Sequence, residues 1–585
     1  MPSWPLADQA HTHSDLDVTL TLSDEGELSL AVARAGDAVV TATRLGLVAA
    51  HADLSHSLRF IDESVEDIDD SYTTLIGSKR EHRYQAQERT LRFANGDDEL
   101  SLHVRVSAEG VAFRYTVPWR GPVTVRRETA EYVVPGDSRA ILLPYDNGRS
   151  DYEEIHNHST VAAAAAIRYG YPALFEVSNT WLLITESNLD RNYAGSRLVF
   201  DGEKFAIDLP DPFTTAESPL VTPWRTLVIG ELASIVESDL VTSLARPSQL
   251  ADTSWIRPGV AAWSWWSDHL SPQDFDAQRR WVDFAAEQGW PYVLVDEWWN
   301  RTWAPELIAY AKERGVGIWV WSHWQHLDSE VEHRESLAVW KSWGIVGVKI
   351  DFTESDGQDR MRWFDSILAA TAALELMVVF HGGTIPRGLE RTWPHFMTAE
   401  AVKGAEHIKP GEPEFPPTHY LSLAFTRNVQ GPMDFTPCTF TASRSISEGF
   451  ELALSVIYTS GVQHFADSME AYRARPEALR LLRRVPTVWD ESRLLAGDPT
   501  DSVVVARRDG DDWFVGAGTA GAGRDIIVDL DFLQPGAWSA EIFQDGPDDT
   551  IVVDTVSTRD GGKLTIPVAT NGGFTAHLQR VESVR

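Results

Sequence analysis

Cysteine is almost absent from the 585-residue sequence, which contains only Cys438. One thiol cannot form a disulfide within the chain, and it cannot supply a zinc site built on several cysteines. The sequence therefore predicts a fold that needs neither covalent cross-links nor zinc–thiolate centres.

Basic residues are scarce. Lys and Arg number 51 against 86 Asp and Glu, which gives a formal charge of −35 and a pI near 4.8. Phosphate backbones require a basic face on their protein partner, and anionic membranes attract basic segments. We therefore expect neither nucleic acid nor a membrane surface as a partner, whereas a neutral ligand such as a sugar remains compatible with this charge.

Long apolar runs are absent too. No segment approaches the 18 consecutive apolar residues of a membrane span. The N-terminal stretch MPSWPLADQAHTHSDLDVTL has neither the basic start nor the apolar centre of a signal peptide. We expect a protein that does not span a membrane, with the cytoplasm as its simplest location.

Tryptophan, in contrast, is abundant, with 23 residues. Flat aromatic faces suit sugar binding, although most tryptophans in any protein are simply buried. Hydrophobic residues at 43% and charged residues at 23% are typical of a globular chain. The length fits three or four ordinary domains, or one (β/α)8 barrel of roughly 250 residues with two smaller domains.

The residue pattern divides the chain into three regions. Residues 1–250 contain short alternating strands between Gly, Asp and Asn turns, which predicts a large N-terminal β-sandwich with a helix over 234–245 at its end. Residues 251–495 alternate apolar strands with amphipathic helices, which predicts a multidomain α/β chain with a central (β/α)8 barrel. Residues 496–585 return to alternating strands and predict a small C-terminal all-β domain.

Functional residues of a barrel follow the C-terminal ends of its strands. The first three predicted strands, at 260–263, 292–295 and 317–321, lead into polar and aromatic residues: Trp263, Trp265, Trp266, Asp296, Glu297, His323 and Trp324. These side chains either line a sugar pocket or belong to ordinary core packing. We expect Trp265, Asp296, His323 and Trp324 to bind substrate.

The fourth predicted strand, at 347–351, ends with Lys349 and Asp351. Alternation along a strand puts both side chains on the same face. A nearby ammonium favours the ionised carboxylate, and an ionised carboxylate is what a nucleophile requires. The alternative is a structural Lys–Asp pair inside the barrel.

The fifth predicted strand, at 377–380, is followed by His381, Gly382 and Gly383. Glycines allow a ligand or a backbone to approach closely. Further along, Glu400 and Glu406 lie in an otherwise small and apolar stretch. One of them could bind a cation and the other donate a proton, or both could be solvated loop acids.

Two carboxylates from different strands in an aromatic pocket are typical of a glycosidase. A retaining enzyme holds them roughly 5–5.5 Å apart, and an inverting enzyme roughly 6.5–9.5 Å apart. The residues alone do not choose between the two mechanisms.

Five segments resemble glycoside hydrolase family 97. They cover the predicted barrel in order: WSWWSDHLSPQDFDAQRRWVDFAAEQGWPYVLVDEWW at 263–299, GVKIDF at 347–352, FHGGTIPRGLERTWP at 380–394, MTAEAVKGAEH at 397–407 and RNVQGPMDFTP at 427–437. The β-rich outer regions agree with the three-part plan of that family by pattern more than by motif.

The resemblance implies a retaining mechanism. Inverting members of the family carry a Glu base directly after the histidine of the strand-five motif, where this sequence has Gly382. Retaining members use an Asp at the end of strand four, which is Asp351 here, and the family's general acid matches Glu406. Lys349 and His381 would donate hydrogen bonds to sugar hydroxyls.

The resemblance also implies a calcium ion. Glu400 matches a ligand of the family, and Glu153, within the segment 151–154, is the candidate from the N-terminal domain. Because the inverting base also touches the metal, Gly382 removes one ligand. Calcium prefers six to eight oxygen ligands, so two glutamates are not sufficient alone.

The sequence therefore predicts a retaining, exo-acting glycoside hydrolase that acts on a small oligosaccharide or glycoside. An α-galactosidase fits the resemblance best, and a β-L-arabinopyranosidase or an α-glucosidase could use the same scaffold. A carbohydrate-binding protein without catalysis and a metal-dependent lyase are alternatives of other classes. The sequence does not indicate an oligomeric state.

Overall fold

The computed structural model describes residues 2–7, 14–145, 149–408 and 413–581. These residues form a β-rich N-terminal domain, a central parallel barrel and a C-terminal β-domain, as the sequence predicts. Among them, no helix is both long and apolar enough to cross a membrane.

The N-terminal domain is antiparallel. Seventeen strands form one continuously paired sheet and three form a second. The strands are Ser3–Pro5, Leu16–Leu22, Leu28–Arg34, Asp37–Leu45, Leu47–Ala49, Arg59–Thr73, Glu81–Asn95, Asp98–Ser107, Gly110–Val117, Val123–Glu128, Glu131–Val133, Arg139–Pro144, Asn157–Thr160, Arg168–Val177, Thr180–Ser187, Arg197–Phe200, Phe205–Asp208, Thr214–Ala216, Leu220–Val221 and Trp224–Gly230. The strand Leu16–Leu22 shows why these segments form sheets: buried apolar residues alternate with more exposed ones, so one face packs on the core.

The predicted helix over 234–245 is instead two short helices, Leu232–Val236 and Leu240–Ser243. The break has a local cause. Glu109 accepts hydrogen bonds from the Ser238 hydroxyl at 2.6 Å and from the Asp239 backbone N–H at 2.7 Å. An N–H that donates to this side chain cannot continue the helical hydrogen-bond ladder.

The barrel contains seven parallel strands, labelled here in chain order. They are β1 (Gly259–Trp263), β2 (Tyr292–Val295), β3 (Gly317–His323), β4 (Gly347–Asp351), β5 (Met377–Phe380), β6 (Phe396–Ala399) and β7 (Val462–Phe465). Their order in the sheet is β6-β5-β4-β3-β2-β1-β7. Strands this apolar suit a parallel sheet that helices cover.

One position of the eightfold barrel is irregular. Between β6 and β7, Met433 forms a single parallel bridge to Ala399, and the Asp434 N–H donates to the Ala399 carbonyl at 3.0 Å. Pro432 just before them has no N–H to extend a ladder. The Arg427 guanidinium donates to the Ala399 carbonyl at 2.8 Å and to the Pro432 carbonyl at 3.0 Å, so a side chain satisfies backbone oxygens there.

Helices cover the barrel, as the alternation of strands and helices predicts. They are Phe275–Gln288, Ala304–Lys312, Glu330–Trp343, Gln358–Ala373, Leu389–Thr392, Pro417–Phe425, Glu448–Ile457, Met469–Arg473 and Pro476–Leu482. The first begins at Asp274, whose side chain accepts the Asp276 and Ala277 N–H groups, and it ends at Gly289 with φ 73°. Such caps stabilise the exposed ends of a helix.

The C-terminal domain has a six-stranded and a two-stranded sheet. Its strands are Glu491–Asp498, Ser502–Asp509, Asp512–Thr519, Arg524–Asp529, Ala537–Asp545, Ile551–Arg559, Lys563–Val568 and Gly573–Arg580. The expected boundary at 495/496 lies inside the first of these strands. That strand pairs with Ser502–Asp509 from its first residue, so the C-terminal sheet starts at Glu491.

Candidate active site

Asp351 is the last residue of β4 and lies at the C-terminal end of the barrel. The Trp321 indole N–H donates to Oδ2 at 2.9 Å, and the Phe352 backbone N–H donates to Oδ1 at 2.6 Å. Phe352 has φ 61°, a conformation that a bulky residue rarely adopts. Two donors and a constrained backbone therefore fix the direction of this carboxylate.

Gly382 lies directly against Asp351. Its φ is 49°, and a Cβ at this position would lie 3.1 Å from Asp351 Oδ1 and 3.1 Å from the Phe352 backbone N. A side chain at residue 382 would therefore crowd the Asp351 carboxylate. Glycine is therefore favoured at residue 382 both by this tight spacing and by the positive φ of its backbone.

Lys349 is buried inside the barrel and pairs with Asp296. Its Nζ donates to Asp296 Oδ2 at 3.1 Å and lies 4.1 Å from the centre of the Trp263 ring. Burial lowers the pKa of Lys349, but the surrounding carboxylates, Asp296 foremost, outweigh burial and raise it, so the ammonium form persists. The sequence suggested a Lys349–Asp351 pair, whereas the direct partner of Lys349 is Asp296.

Glu406 lies in the 3-10 turn Ala405–His407, which is held over the barrel. The Trp266 indole donates to the Ala405 carbonyl at 3.2 Å, and the Ala405 N–H donates to the Phe435 carbonyl at 2.9 Å. Burial raises the pKa of Glu406 to about 8, with Lys349 opposing and Glu400 adding to the effect. This carboxyl group is therefore protonated at neutral pH and able to donate a proton.

A cluster of acids surrounds His381. Its Nδ1 lies 3.0 Å from Glu400 Oε2 and 3.6 Å from Glu406 Oε2. The Gly382 N–H also donates to Glu400 Oε2, at 2.8 Å. One ligand atom from each of His381, Glu400 and Glu406 lies within 4.8 Å of the others.

Glu153 joins this cluster from the N-terminal domain. Its Oε2 lies 3.0 Å from His407 Nε2. Burial, followed by the charge of Glu400 and then that of Asp151, raises the pKa of Glu153 to about 11. Burial also penalises the charge on Glu400, yet the adjacent His381 lowers the pKa of Glu400 to about 2. Glu153 therefore keeps its proton while Glu400 is ionised, because two carboxylate charges this close disfavour each other.

Asp434 connects two histidines below the site. Its Oδ2 accepts from His381 Nε2 at 2.8 Å and from His464 Nδ1 at 2.7 Å, and all three side chains are buried. Asp434 therefore fixes the ring of His381. The sequence predicts no role for Asp434 within the segment 427–437, although an acid among apolar residues at a barrel position is a usable signal.

Aromatic rings line the barrel end. Trp265 stacks on Trp263 with ring centres 5.9 Å apart, and Trp263 contacts the edge of His381 at 6.5 Å. Trp298, for which the sequence predicts no role of its own, is 57% exposed and has φ 65°. An exposed ring in a constrained backbone conformation is a candidate surface for a sugar face.

Two of the predicted binding residues have different surroundings. His323 stacks on Phe352 with ring centres 5.2 Å apart, beside the Asp351 carboxylate. Trp324 instead lies under the Arg360 guanidinium at 3.4 Å and contacts Trp363, on the helical side of the barrel. Burial lowers the pKa of His323, so its ring is neutral at physiological pH. The structure thus groups Asp296, His323, Lys349, Asp351, His381, Glu400, Glu406 and Glu153, and Trp324 adjoins this group through His323, with ring centres 6.3 Å apart.

A parallel barrel that presents two carboxylates among aromatic rings at the C-terminal ends of its strands is the site of a glycoside hydrolase. Three family models match the chain in order. Glycosyl-hydrolase 97 N-terminal matches residues 13–247, Glycoside hydrolase 97 matches residues 255–402, and Glycosyl-hydrolase 97 C-terminal, oligomerisation, matches residues 488–579. The chain belongs to glycoside hydrolase family 97.

Individual relatives agree with this assignment. A probable retaining alpha-galactosidase of Streptomyces bingchenggensis is 42% identical over 574 residues, which cover 94% of this chain and 88% of that protein. The crystal structure of a beta-arabinopyranosidase matches with a TM-score of 0.89 at 26% identity, over 96% of this chain and 98% of that one. A family 97 enzyme from Pseudoalteromonas sp. in complex with panose matches with a TM-score of 0.90 at 25% identity, over 97% and 99%.

These findings confirm the predicted family, the fold class and the retaining glycosidase activity. The protein is an enzyme that acts on carbohydrate, and the alternative of a carbohydrate-binding protein without catalysis is set aside.

Proposed function

We propose that this enzyme removes terminal α-galactosyl groups from small oligosaccharides by a double displacement. The carrying observation is the contact between Gly382 and Asp351. A Cβ at residue 382 would lie 3.1 Å from Asp351 Oδ1, so a glutamate at residue 382 would press on the Asp351 carboxylate and disfavour its present position. This chain has the glycine and the aspartate, which favours Asp351 as the nucleophile.

In the first step, Asp351 attacks the anomeric carbon while Glu406 gives its proton to the leaving glycosidic oxygen. The carbon–oxygen bond to the leaving group breaks as the bond to the Asp351 carboxylate forms. The raised pKa of Glu406, about 8, keeps the required proton on this side chain at neutral pH.

In the second step, Glu406 is a carboxylate and takes a proton from a water molecule. The water oxygen attacks the anomeric carbon from the side that the leaving group vacated, and Asp351 is released. Two inversions return the original anomeric configuration, and Glu406 regains its proton for the next turnover.

We assign sugar recognition to the charged groups near Asp351 and Glu406. Asp296 holds the Lys349 ammonium in a fixed direction. The His381 ring is held by Asp434 at Nε2 and lies beside Glu400 at Nδ1, so its charge is fixed next to the acids. Fixed donors that need no rearrangement stabilise charge developing on sugar hydroxyls more effectively than water does.

Calcium is the proposed cofactor, with Glu153 and Glu400 as ligands. The residues fit a hard cation on two observations. Burial and the charge of Glu400 raise the pKa of Glu153 to about 11, and Glu406 Oε2 is buried without a hydrogen-bond partner. When bound, calcium would supply positive charge that orients sugar hydroxyls. Because Gly382 offers no side-chain oxygen, water would have to supply part of the preferred six to eight ligands.

The choice of α-galactoside is supported by the retaining alpha-galactosidase name of the 42% identical relative. A β-L-arabinopyranoside is the second candidate, because the structurally similar enzyme with a TM-score of 0.89 is a beta-arabinopyranosidase. The two glycones differ only in the C6 hydroxymethyl group, which galactose carries and arabinopyranose lacks.

The test is a comparison of three aryl glycosides with calcium present: the α-galactoside, the β-L-arabinopyranoside and the α-glucoside. We expect the highest kcat/KM for the α-galactoside. A higher kcat/KM for the arabinopyranoside would overturn the proposed glycone while keeping the mechanism, and a higher value for the glucoside would overturn the proposed recognition of the sugar.

A further inference from the structure

The buried carboxylate Asp356 joins three loops at the catalytic end of the barrel. Its Oδ2 accepts hydrogen bonds from the hydroxyls of Tyr145 at 2.6 Å and Tyr152 at 2.7 Å. Its Oδ1 accepts from Arg387 Nη2 at 3.1 Å and also from the hydroxyl of Thr384. Nothing in the proposed reaction requires Asp356 to touch the substrate.

Each of the three loops carries a residue of the proposed site. Asp356 lies in the loop that begins after Asp351, and Tyr152 directly precedes Glu153 in the chain. The third loop starts at His381 and Gly382 and reaches Arg387, whose Nη2 also donates to the Tyr152 hydroxyl, at 3.0 Å. One carboxylate therefore connects the loop of the nucleophile, the loop of the proposed calcium ligand and the loop of the His381 cluster.

The hydrogen bonds around Asp356 are anchored in the N-terminal sheet by a series of buried ion pairs whose charges alternate. Arg387 Nε donates to Glu186 Oε1 at 2.5 Å, Glu186 pairs with Arg225, and Arg225 Nε donates to Glu128 Oε2 at 3.0 Å. The side chains of Glu128, Glu186 and Arg225 have no solvent exposure. Buried ion pairs are costly compared with well-packed apolar groups, so fixed geometry is a better reason for this chain than stability.

The backbone conformation of two partners of Asp356 also indicates a fixed geometry. Tyr152 has φ 63° and Arg387 has φ 54°, values that residues with large side chains seldom adopt. Such conformations persist only where the surroundings enforce them, and they concentrate at functional sites. Tyr152 and Arg387 both donate hydrogen bonds to Asp356, and these bonds help to enforce the two conformations.

We propose that Asp356 is a positioning residue that, through Tyr152, holds Glu153 of the N-terminal domain beside Glu400 of the barrel. The same contacts fix the loop that follows Asp351. This inference rests on the proposed role of Glu153 as a calcium ligand, and it adds the part of the fold that brings that ligand into place.

Three variants test the proposal. Tyr152→Phe removes one hydroxyl from Asp356, and Asp356→Asn removes the charge that Arg387 and both tyrosines share. The matched control is Tyr472→Phe, which removes another buried hydroxyl with two hydrogen bonds; that hydroxyl accepts from the Asp467 N–H at 3.2 Å and donates to the Cys438 carbonyl at 3.2 Å, outside the Asp356 contacts. Calcium affinity is measured by titration calorimetry, kcat and KM on an aryl α-galactoside, and folding by circular dichroism and thermal melting.

We expect Tyr152→Phe to weaken calcium binding about 10-fold and Asp356→Asn about 100-fold, the range found when groups that orient metal ligands are removed. Saturating calcium should restore most of the kcat of Tyr152→Phe, because mass action favours the state with Glu153 in place. Tyr472→Phe should bind calcium like the wild type.

A purely structural role predicts a different pattern. Tyr152→Phe and Tyr472→Phe would then lower the melting temperature alike and leave calcium affinity and kcat unchanged, which would overturn the proposal. If Asp356→Asn does not fold, the comparison of Tyr152→Phe with Tyr472→Phe decides. Failure of the proposed function would show separately in the wild type, as absent calcium binding or absent galactosidase activity; the kcat ratio of Tyr152→Phe to the wild type on its best substrate would then test the positioning of Asp351.

Discussion

Asp351 is the residue on which the bond-forming step depends. Replacement with alanine in Asp351→Ala removes the nucleophile but leaves Glu406 and the pocket in place, so we expect turnover to be abolished. Added azide should enter the vacated space and attack the anomeric carbon, giving a β-galactosyl azide detectable by mass spectrometry and NMR. The Asp351→Ala protein without azide is the control, and a complete failure of azide to give product would argue against Asp351 as the nucleophile.

Glu406 is expected to control the alkaline side of the pH profile. Its pKa is raised to about 8, so the acid form is present below that pH and is lost as the pH rises through it; kcat/KM should fall with that deprotonation. Glu406→Gln should lower kcat/KM about 10²- to 10⁴-fold on substrates with a sugar leaving group, and far less on aryl glycosides, whose leaving groups need little protonation.

The measurement for Glu406 is a pH profile of both substrate types for the wild type and Glu406→Gln. The alkaline decline should disappear in the variant on the aryl substrate. Equal losses on both substrate types, with the decline retained, would mean that another group donates the proton.

At the scale of secondary-structure elements, the helix Glu330–Trp343 offers a clean test of local stabilisation. Ser329 accepts the Glu332 N–H at 3.3 Å while the Glu332 side chain accepts the Ser329 N–H at 2.9 Å, a complete capping box. Ser329→Ala should cost about 1 kcal/mol of stability without changing kcat, as measured by urea unfolding. Ser342→Ala, an exposed serine near the other end of the helix, is the control; equal losses in the two variants would contradict the capping role.

The strands of the barrel could be predicted because they are short apolar runs at regular spacing, and their C-terminal ends identified Asp351 and Asp296 in advance. The irregular barrel position between β6 and β7 could not be predicted, because Pro432 interrupts the ladder and the Arg427 side chain replaces backbone donors. The split of the predicted helix over 234–245 has a similar origin, since it depends on Glu109, which lies far away in sequence.

At the scale of the whole molecule, the site is completed by contacts between domains. Glu400 and Glu406 were visible within one motif, but the contact of Tyr152 with Asp356 joins residues about 200 positions apart and has no periodic signature. Glu153 was named only through the resemblance to family 97. A packed interface, and not any local pattern, brings it to the barrel.

Calcium should therefore stabilise the whole molecule as well as the reaction. Chelation with EDTA is expected to reduce kcat and the melting temperature together, and added calcium should restore both. A ligand at 100 times its Kd contributes about 2.7 kcal/mol to the free energy of unfolding. Glu153→Gln should lose this response to calcium while it remains folded. Unchanged melting temperature and activity after complete chelation would rule out the proposed cofactor.

The most direct test of retention by Asp351 is proton NMR of an aryl α-galactoside during the first turnovers, with calcium present. Double displacement predicts that α-galactose is released first and that the β anomer grows later through mutarotation. Initial release of β-galactose would mean a single displacement by water and would contradict Asp351 as the nucleophile.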